Sequence, residues 1–385
     1  MKPLSPVEAV SPAFNRTRTV LLPPGYAPGQ NAPFRFWFYF KVVLVAAFTQ
    51  SSFYGASIGF FIQGIFMAMS FAGAGSAFRR IPIAAPHGLT AVLLVVAVVL
   101  GAMGIALWIL LGWLWCRLRF TLFDLVVFRH GRVGVAWSRY GAPAWRFLGV
   151  AILVTLIFLL LLAVTAGPLL FHFFLTVRDL SPQQVNANPA IILSHILPMY
   201  GIMLLFFFLV FLVDAILQDF LLPPMAIENA PVESSARRFL HLLRTEPGSF
   251  ILYLILRLAL QMGLGAAAGM VLFFILGIAG FVGVGIGFVL YHSLFHAGPA
   301  GAAIFVLYCV VAGLLVLAVY FLAITCIQGT IAVFRQCYAV CYYGSQYPQL
   351  GQFLEPPVEG LTPAPSPTPP LPSALPPAQE PPPVW

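Results

Sequence analysis

Apolar residues run along this chain in long blocks. Leu89 to Cys116, Phe147 to Leu175 and Ile191 to Phe220 carry almost no charge, the exceptions being Asp214 and Asp219 in the third block. A helix rises about 1.5 Å per residue, so roughly 20 apolar residues cross a hydrocarbon core of about 30 Å, and each block predicts a membrane span. Two further regions are ambiguous. Phe38 to Gly75 is long for one helix and is interrupted by "TQSSFYG". Phe250 to Gln328 must hold at least two helices, with "GIAGFVGVGIGF" between them or inside one.

Between the blocks the pattern changes to an amphipathic period. Val133, Trp137, Tyr140, Ala144 and Phe147 recur at helical spacing, while Arg132, Arg139 and Arg146 recur every seven residues on another face. Gly141 and Pro143 interrupt the pattern and predict a short interfacial helix ending near Tyr140, with Pro143 in the first turn of the next span. From Pro231 a second such segment places Val232, Ala236, Phe239, Leu240 and Leu243 on one face, and Glu233, Arg237, Arg238, His241 and Arg244 largely elsewhere. Pro247 suits the start of the span that follows. An Asp precedes each elbow, Asp124 and Asp219. The chain therefore reads as two parallel span-elbow-span units, 89–175 and 191–277, related by an axis along the membrane normal.

Composition agrees with this class. The 385 residues are 61% hydrophobic and 8% charged, with a mean hydropathy of +0.97, which a soluble core could not cover. The net charge of +8 is concentrated beside span ends, with six of the 19 Lys and Arg between Arg117 and Phe147. In that setting anionic lipid, rather than nucleic acid, is the expected counter-charge. Trp and Tyr in the elbows suit the headgroup level, and Arg stems reach phosphates from there. The candidate lipid-binding residues are Arg117, Arg119, Arg132, Arg139, Arg146, Arg237, Arg238 and Arg244.

The positive-inside rule sets an orientation. If Phe38 to Gly75 crosses once, with a helical extension or re-entrant piece, the basic N-terminus and both elbows share one side, leaving Arg79, Arg80 and Arg178 opposite. The expectation is an all-α, polytopic membrane bundle of about six spans and two interfacial elbow helices, both termini cytoplasmic, in a bacterial inner membrane. Residues 1–34 form a Pro-containing arm with no cleavable signal, residues 35–348 the membrane domain. Residues 349–385 are a Pro-rich disordered tail. Its PxxP strings at Pro367–Pro370 and Pro369–Pro372 fit a protein partner's polyproline groove, although a spacer is the plainer reading. The five Cys are odd in number and show no disulfide spacing.

Charges inside the apolar blocks are the next candidates, because an ionised group in hydrocarbon pairs, surfaces or lines a cavity. Asp214, Asp219, Arg257 and Gln261 form the expected intramembrane polar cluster, with Asp214 or Asp219 pairing with Arg257 or an elbow Arg. Catalytic patterns are weak. "GASIG" at Gly55–Gly59 matches a nucleophile-elbow string but lies in an apolar helix, and Ser57 would need His172 or His195 from another span. His292 and His296 stand four apart, and His87 could be imagined as a third ligand, but no acidic partner accompanies them. Gly283 and Gly287 fit close helix packing rather than a nucleotide loop. No catalytic residue, metal or cofactor is expected.

"RFTLFDLVVFRHGRVGVAWSRYGAPAWRF", "LQDFLLPPMAIENAPVESSARRFLHLLRTEPGSFILYLILRLAL" and "FRQCYAVCYYGSQYP" together resemble a bacterial family of uncharacterised multi-pass membrane proteins. That family is similar to the membrane domain attached to some glycerophosphodiester phosphodiesterases. The resemblance covers about residues 35–348 and implies architecture rather than chemistry, since no soluble phosphodiesterase domain is present. Two departures stand out: Gln328 and Gly329 replace a Leu-Pro kink before Phe334 and Arg335, and the apolar run Gly277–Ala323 is longer than in the family.

Overall fold

A computed structural model describes residues 4–22, 35–50, 87–128, 133–179, 189–294 and 298–354, together with Gln63. Among these residues the chain is helical throughout. Helix α1 spans Val10–Leu21 and α2 Phe36–Gln50. Helices α3 (His87–Phe128), α4 (Val133–Arg139) and α5 (Gly141–Asp179) follow. Helix α6 (Pro189–Ala215) runs into a π-helical turn, Ile216–Leu221, and a short α7, Leu222–Ile227. Helix α8 (Val232–Thr245) leads to α9 (Pro247–Leu294), α10 (Pro299–Gln346) and a last short α11, Pro348–Leu354.

Five of these stretches, Val98–Phe128, Gly141–Leu169, Tyr200–Ile227, Pro247–Leu294 and Pro299–Gln346, are long and apolar enough to cross a membrane, and Phe36–Thr49 is a shorter apolar helix. The protein is an all-α membrane protein. Phe250–Gln328 resolves into two helices, with the Gly-rich run inside α9. Most of the second half of Phe38–Gly75 lies outside the described residues, as do Ser57, Arg132, His296 and residues 355–385 of the Pro-rich tail; residues 349–354, expected to be disordered with it, are helical instead and bury Leu350, Gly351 and Leu354.

The elbows form where Pro and Gly interrupt the apolar pattern. Helix α4 ends at Arg139, a turn at Tyr140 follows, and α5 begins at Gly141. Its inner face buries Ala136, Tyr140, Ala144 and Phe147. Helix α8 starts after Pro231, and Pro247 opens α9, a position where its missing N–H costs nothing. On α8 the buried residues are Ser235 and Phe239, whereas Leu240 of the expected apolar face is 48% exposed. Bundle packing there turns the helix towards Ser235.

The packed core gathers at one end of the bundle, around Trp115–Val127, Tyr140–Ala151, Leu217–Ala226, Phe239–Tyr253 and Ala332–Leu354. Phe220 sits within it, edge-on to Phe250 and Tyr253 at centroid separations of 5.6 and 5.5 Å. Beyond this core, α9 and α10 continue with their apolar side chains outward, from Met262 through Phe288 and from Ile304 through Leu322. Each has 48 residues and so extends about 72 Å.

The same end is closed by the N-terminal arm, whose helix the block pattern does not announce. Ala9, Ala13, Arg16, Thr17 and Val20 form the buried face of α1. Arg16 donates to the carbonyls of Val126 and Val127 at 2.9 and 2.8 Å, satisfying acceptors that the C-terminal turn of α3 leaves open. Leu4 N–H donates to Ser345 Oγ at 3.1 Å, and Tyr338 Oη to the Pro6 carbonyl at 3.2 Å. The arm, both elbows and the end of α10 therefore meet.

Candidate functional site: a buried charge cluster beneath two basic elbows

The cluster forms where α3, the π-helical turn, α9 and α10 converge. Its position on the α6 side follows from Pro223 and Pro224. Two consecutive prolines supply no N–H to the carbonyls four residues back. The preceding segment widens, and Leu222 N–H instead meets Leu217 O, five residues back. In an α-helix, residues five apart point about 140° apart. The additional residue in the turn rotates Asp219 back towards the face of Asp214, so both carboxylates reach one guanidinium.

That guanidinium is Arg257 of α9, 2% exposed. Its Nη1 lies 2.9 Å from Asp219 Oδ2 and its Nη2 3.6 Å from Asp214 Oδ2. Tyr253, one turn earlier, donates to Asp219 Oδ2 at 2.6 Å, and its ring stacks on Tyr338 and Tyr342 at 5.3 and 4.6 Å. Asp214 Oδ1 accepts from Arg119 Nη2 at 3.2 Å and from Gln218 Nε2. Arg335 Nη2 of α10 donates to Gln218 Oε1 at 3.5 Å and lies within the field of both carboxylates and of Arg257 and Arg119.

Arg119 corrects a sequence expectation. The sequence groups it with the lipid-binding elbow residues, but its side chain is 3% exposed. It lies over the Trp115 ring at 3.6 Å and reaches the Thr49 carbonyl at 3.4 Å. The reason is geometric. Helix α3 continues through Phe128, and residues 117 and 119 point about 200° apart on it, so when Arg117 faces the elbow Arg119 faces the core.

The other elbow residues occupy several environments. Arg117 is half-buried between the Trp113 and Trp137 rings, at 5.0 and 4.4 Å, and donates to the Trp137 carbonyl at 3.0 Å. Arg139 is half-exposed, 3.6 Å from Asp124, whose Oδ1 also accepts from Tyr140 at 2.6 Å. Burial and that bond to a carboxylate push the Tyr140 phenol well above its ordinary pKa. Arg146 is exposed and donates to Asn229 Oδ1 at 3.2 Å, linking the two elbow regions. Asn229 has a φ of 52°, the left-handed position that Asn tolerates where α7 ends.

On α8, Arg237 pairs with Glu233 at 2.5 Å on the outer surface, and Arg244 is exposed. Arg238 makes a fork to Glu228, both contacts 2.7 Å, and donates to Tyr347 Oη at 3.1 Å. Tyr347 in turn donates to Glu228. This fixes the start of α11 to the second elbow. Hydrogen bonds from Arg238 hold the Glu228 carboxyl below the usual range.

Gln261 lies one turn beyond Arg257, in a cleft between α9 and α10 that Leu260, Leu264, Ile331, Phe334, Arg335 and Tyr338 complete. The sequence groups Asp214, Asp219, Arg257 and Gln261, with Gln218 on the face of Asp214 and an elbow Arg as a further partner, the place that Arg119 takes; it does not point to Tyr253 or Arg335. The spacing of Tyr253 four residues before Arg257 is the available signal for the tyrosine. Nothing local in the sequence brings Arg335 to them. His292 is exposed against Phe288 at 4.6 Å. Among the described residues no three His, Cys, Asp or Glu converge as metal ligands. Tyr308 donates to the Gly283 carbonyl at 2.7 Å, where α10 comes close to α9.

The chain belongs to a family of unknown function, DUF7544, whose model matches residues 4–353. No curated protein and no solved structure matches it.

Proposed function

We propose that this member of a family without an assigned activity is a non-enzymatic protein of the bacterial inner membrane. In this reading its basic elbows hold anionic lipid headgroups, and it acts as a scaffold that organises the surrounding membrane. Both termini are cytoplasmic in this reading, because the arm and α11 lie with the elbows and, among the described residues, that end bears most of the exposed Arg.

One observation carries the reading. Arg139, Arg146, Arg237 and Arg244 stand outward at a single end of the bundle, where the buried core gives way to lipid-facing apolar surface. Trp145, 56% exposed, lies among them. Cationic side chains at that level attract anionic headgroups by about 1 kcal/mol each, and an outward indole favours the same depth.

The test is lipid selectivity at the protein boundary. Spin-labelled phosphatidylglycerol and phosphatidylcholine are compared by electron paramagnetic resonance around the reconstituted protein. The expected result is a severalfold preference for phosphatidylglycerol that salt weakens and that a triple variant, Arg139→Gln, Arg237→Gln and Arg244→Gln, largely removes. Equal association of both lipids with the unaltered protein refutes the headgroup role.

A second reading, a carrier of an amphiphile, is favoured by the buried charge cluster and its cleft. Such clusters are expensive in hydrocarbon and often mark pathways. Protein-dependent movement of a fluorescent phospholipid between vesicle leaflets would support it. Unchanged leaflet asymmetry over hours would remove it.

A further inference from the structure

The buried cluster does not balance. Arg119, Arg257 and Arg335 gather around Asp214, Asp219 and Gln218, so among the described residues three guanidiniums meet two carboxylates and one positive charge remains. Hydrogen bonding is incomplete in the same direction. Among the described residues, Arg257 Nε and Arg119 Nε and Nη1 are buried with no hydrogen-bond acceptor, and Arg257 Nη1 has only its 2.9 Å contact with Asp219. Buried N–H groups of a cation are costly to leave unmet. Both deficits call for an anion.

The cleft between α9 and α10 lies beside the cluster, closed to about 10 Å³, the room of one water, so a headgroup would enter it by parting the side chains of the two helices. Two of the three cationic side chains, Arg257 and Arg335, line it, with Gln261 and Tyr338 beside them. Its walls are ordered along the helices. Helix α9 leaves the elbow end at Pro247 and α10 returns to it at Gln346, so Arg257, Arg335 and Tyr338 lie nearest that end and Leu264 and Ile331 farthest from it. The polar groups are therefore towards the headgroup level and the apolar ones towards the bilayer interior.

We propose that this cleft is a binding site for one anionic amphiphile. A phosphate oxygen would sit against Arg257, Arg335 and Gln261, and an acyl chain would run out along Leu264 and Ile331. Arg suits this role because its fork meets phosphate with two parallel hydrogen bonds. The apolar continuation of the cleft favours a lipid over free phosphate. The site rests on the lipid-binding reading above and adds to it a single stoichiometric position, separate from the diffuse attraction at the elbows.

The experiment counts retained lipids. The full chain is purified from membranes, exchanged into mixed phosphatidylglycerol and phosphatidylcholine, and examined by native mass spectrometry at rising collision energy. The expected result is one phosphatidylglycerol that outlasts all other lipid. Arg335→Gln should weaken its retention roughly ten- to a hundredfold, the factor expected for one or two hydrogen bonds to a charged group. Arg335→Lys should restore it in part. Leu264→Trp leaves every charge in place and fills the apolar half of the cleft, so it should also expel the lipid. It keeps the test open should Arg335→Gln fold poorly.

Two further arms separate the sources. Displacement of the retained lipid by millimolar inorganic phosphate, with Leu264→Trp harmless, would assign the cleft to free phosphate and overturn the amphiphile. Absence of any outlasting phosphatidylglycerol in the unaltered protein would overturn the site itself. The elbow triple variant distinguishes the two readings, since it should abolish boundary selectivity while the single retained lipid persists.

Discussion

The pairing of Arg257 with Asp219 is open to a double-mutant cycle. Arg257→Met removes the guanidinium from a position 1% exposed at its side chain, leaving Asp219 with the Tyr253 hydroxyl as its hydrogen-bond partner and Arg335 as the nearby cation among the described residues. Asp214 keeps Arg119 and Gln218. Removing one member of a buried pair typically costs about 3–5 kcal/mol, because the other charge stays buried without compensation. Asp219→Asn should cost less, near the lower end of that range, since Arg257 retains Asp214 at 3.6 Å. In the double variant neither charge is stranded. Its loss should fall short of the sum of the two single losses by about 2–3 kcal/mol, the upper range for contacting residues. Unfolding by sodium dodecyl sulfate in mixed micelles, followed by tryptophan fluorescence, measures all three variants. Arg119→Met combined with Asp219→Asn is the comparison, and its coupling should be small because Arg119 bonds to Asp214. Strictly additive losses for Arg257 and Asp219 would refute the pairing.

Two other perturbations follow from single contacts. A Cβ at Gly329 of α10 would overlap the Val43 carbonyl of α2, so Gly329→Ala should destabilise by about 1–3 kcal/mol through overpacking, whereas Gly280→Ala, with open space around it, should leave the thermal unfolding temperature nearly unchanged; equal effects would remove the close approach. The Glu228 carboxyl is held below its ordinary range by Arg238, so its stabilisation is complete above the unfolded value of about 4.3 and is lost as pH falls through the lower folded value. Protection of the amides in α11, Pro348–Leu354, taken relative to their intrinsic exchange at each pH, should therefore fall on acidification below about pH 4. Glu228→Gln should exchange fast at neutral pH already, and an acid response identical in both proteins would sink this assignment.

The helices were legible in the sequence because hydrocarbon imposes a simple rule: apolar runs with no charge must be spans. Gly141, Pro143, Pro231 and Pro247 marked the elbows because each has a local backbone consequence. The interior of the cluster was far less legible. Arg119 sits in an arginine-rich stretch in which Arg139 and Arg146 do face the surface, and only its two-residue offset from Arg117 hints at a different environment. Arg335 follows 77 uncharged residues, 258–334, so its neighbours depend on where a long hairpin returns. The π-helical turn that brings Asp219 to the face of Asp214 arises from Pro223 and Pro224, a consequence visible only when the hydrogen bonds are traced. Gly329 was noticed as a departure from a Leu-Pro pattern, yet its purpose lies in α2, almost 300 residues earlier. Helix α1 leaves little mark on the hydropathy pattern because its buried face is made largely of small and polar residues, Ala9, Ala13, Arg16 and Thr17.

The reach of the α9–α10 hairpin bears on the bilayer itself. From Gln261 to Leu294, α9 runs about 50 Å without a charge, against a hydrocarbon depth of about 30 Å. Leaning alone would need roughly 54°, beyond the tilts of up to about 40° that helices in membranes adopt. The remaining length has to be met by stretched acyl chains around the hairpin. A thick, ordered membrane would then solvate this protein better than a thin one, and its position in a cell would be set by the thickness of the lipid as well as by its charge.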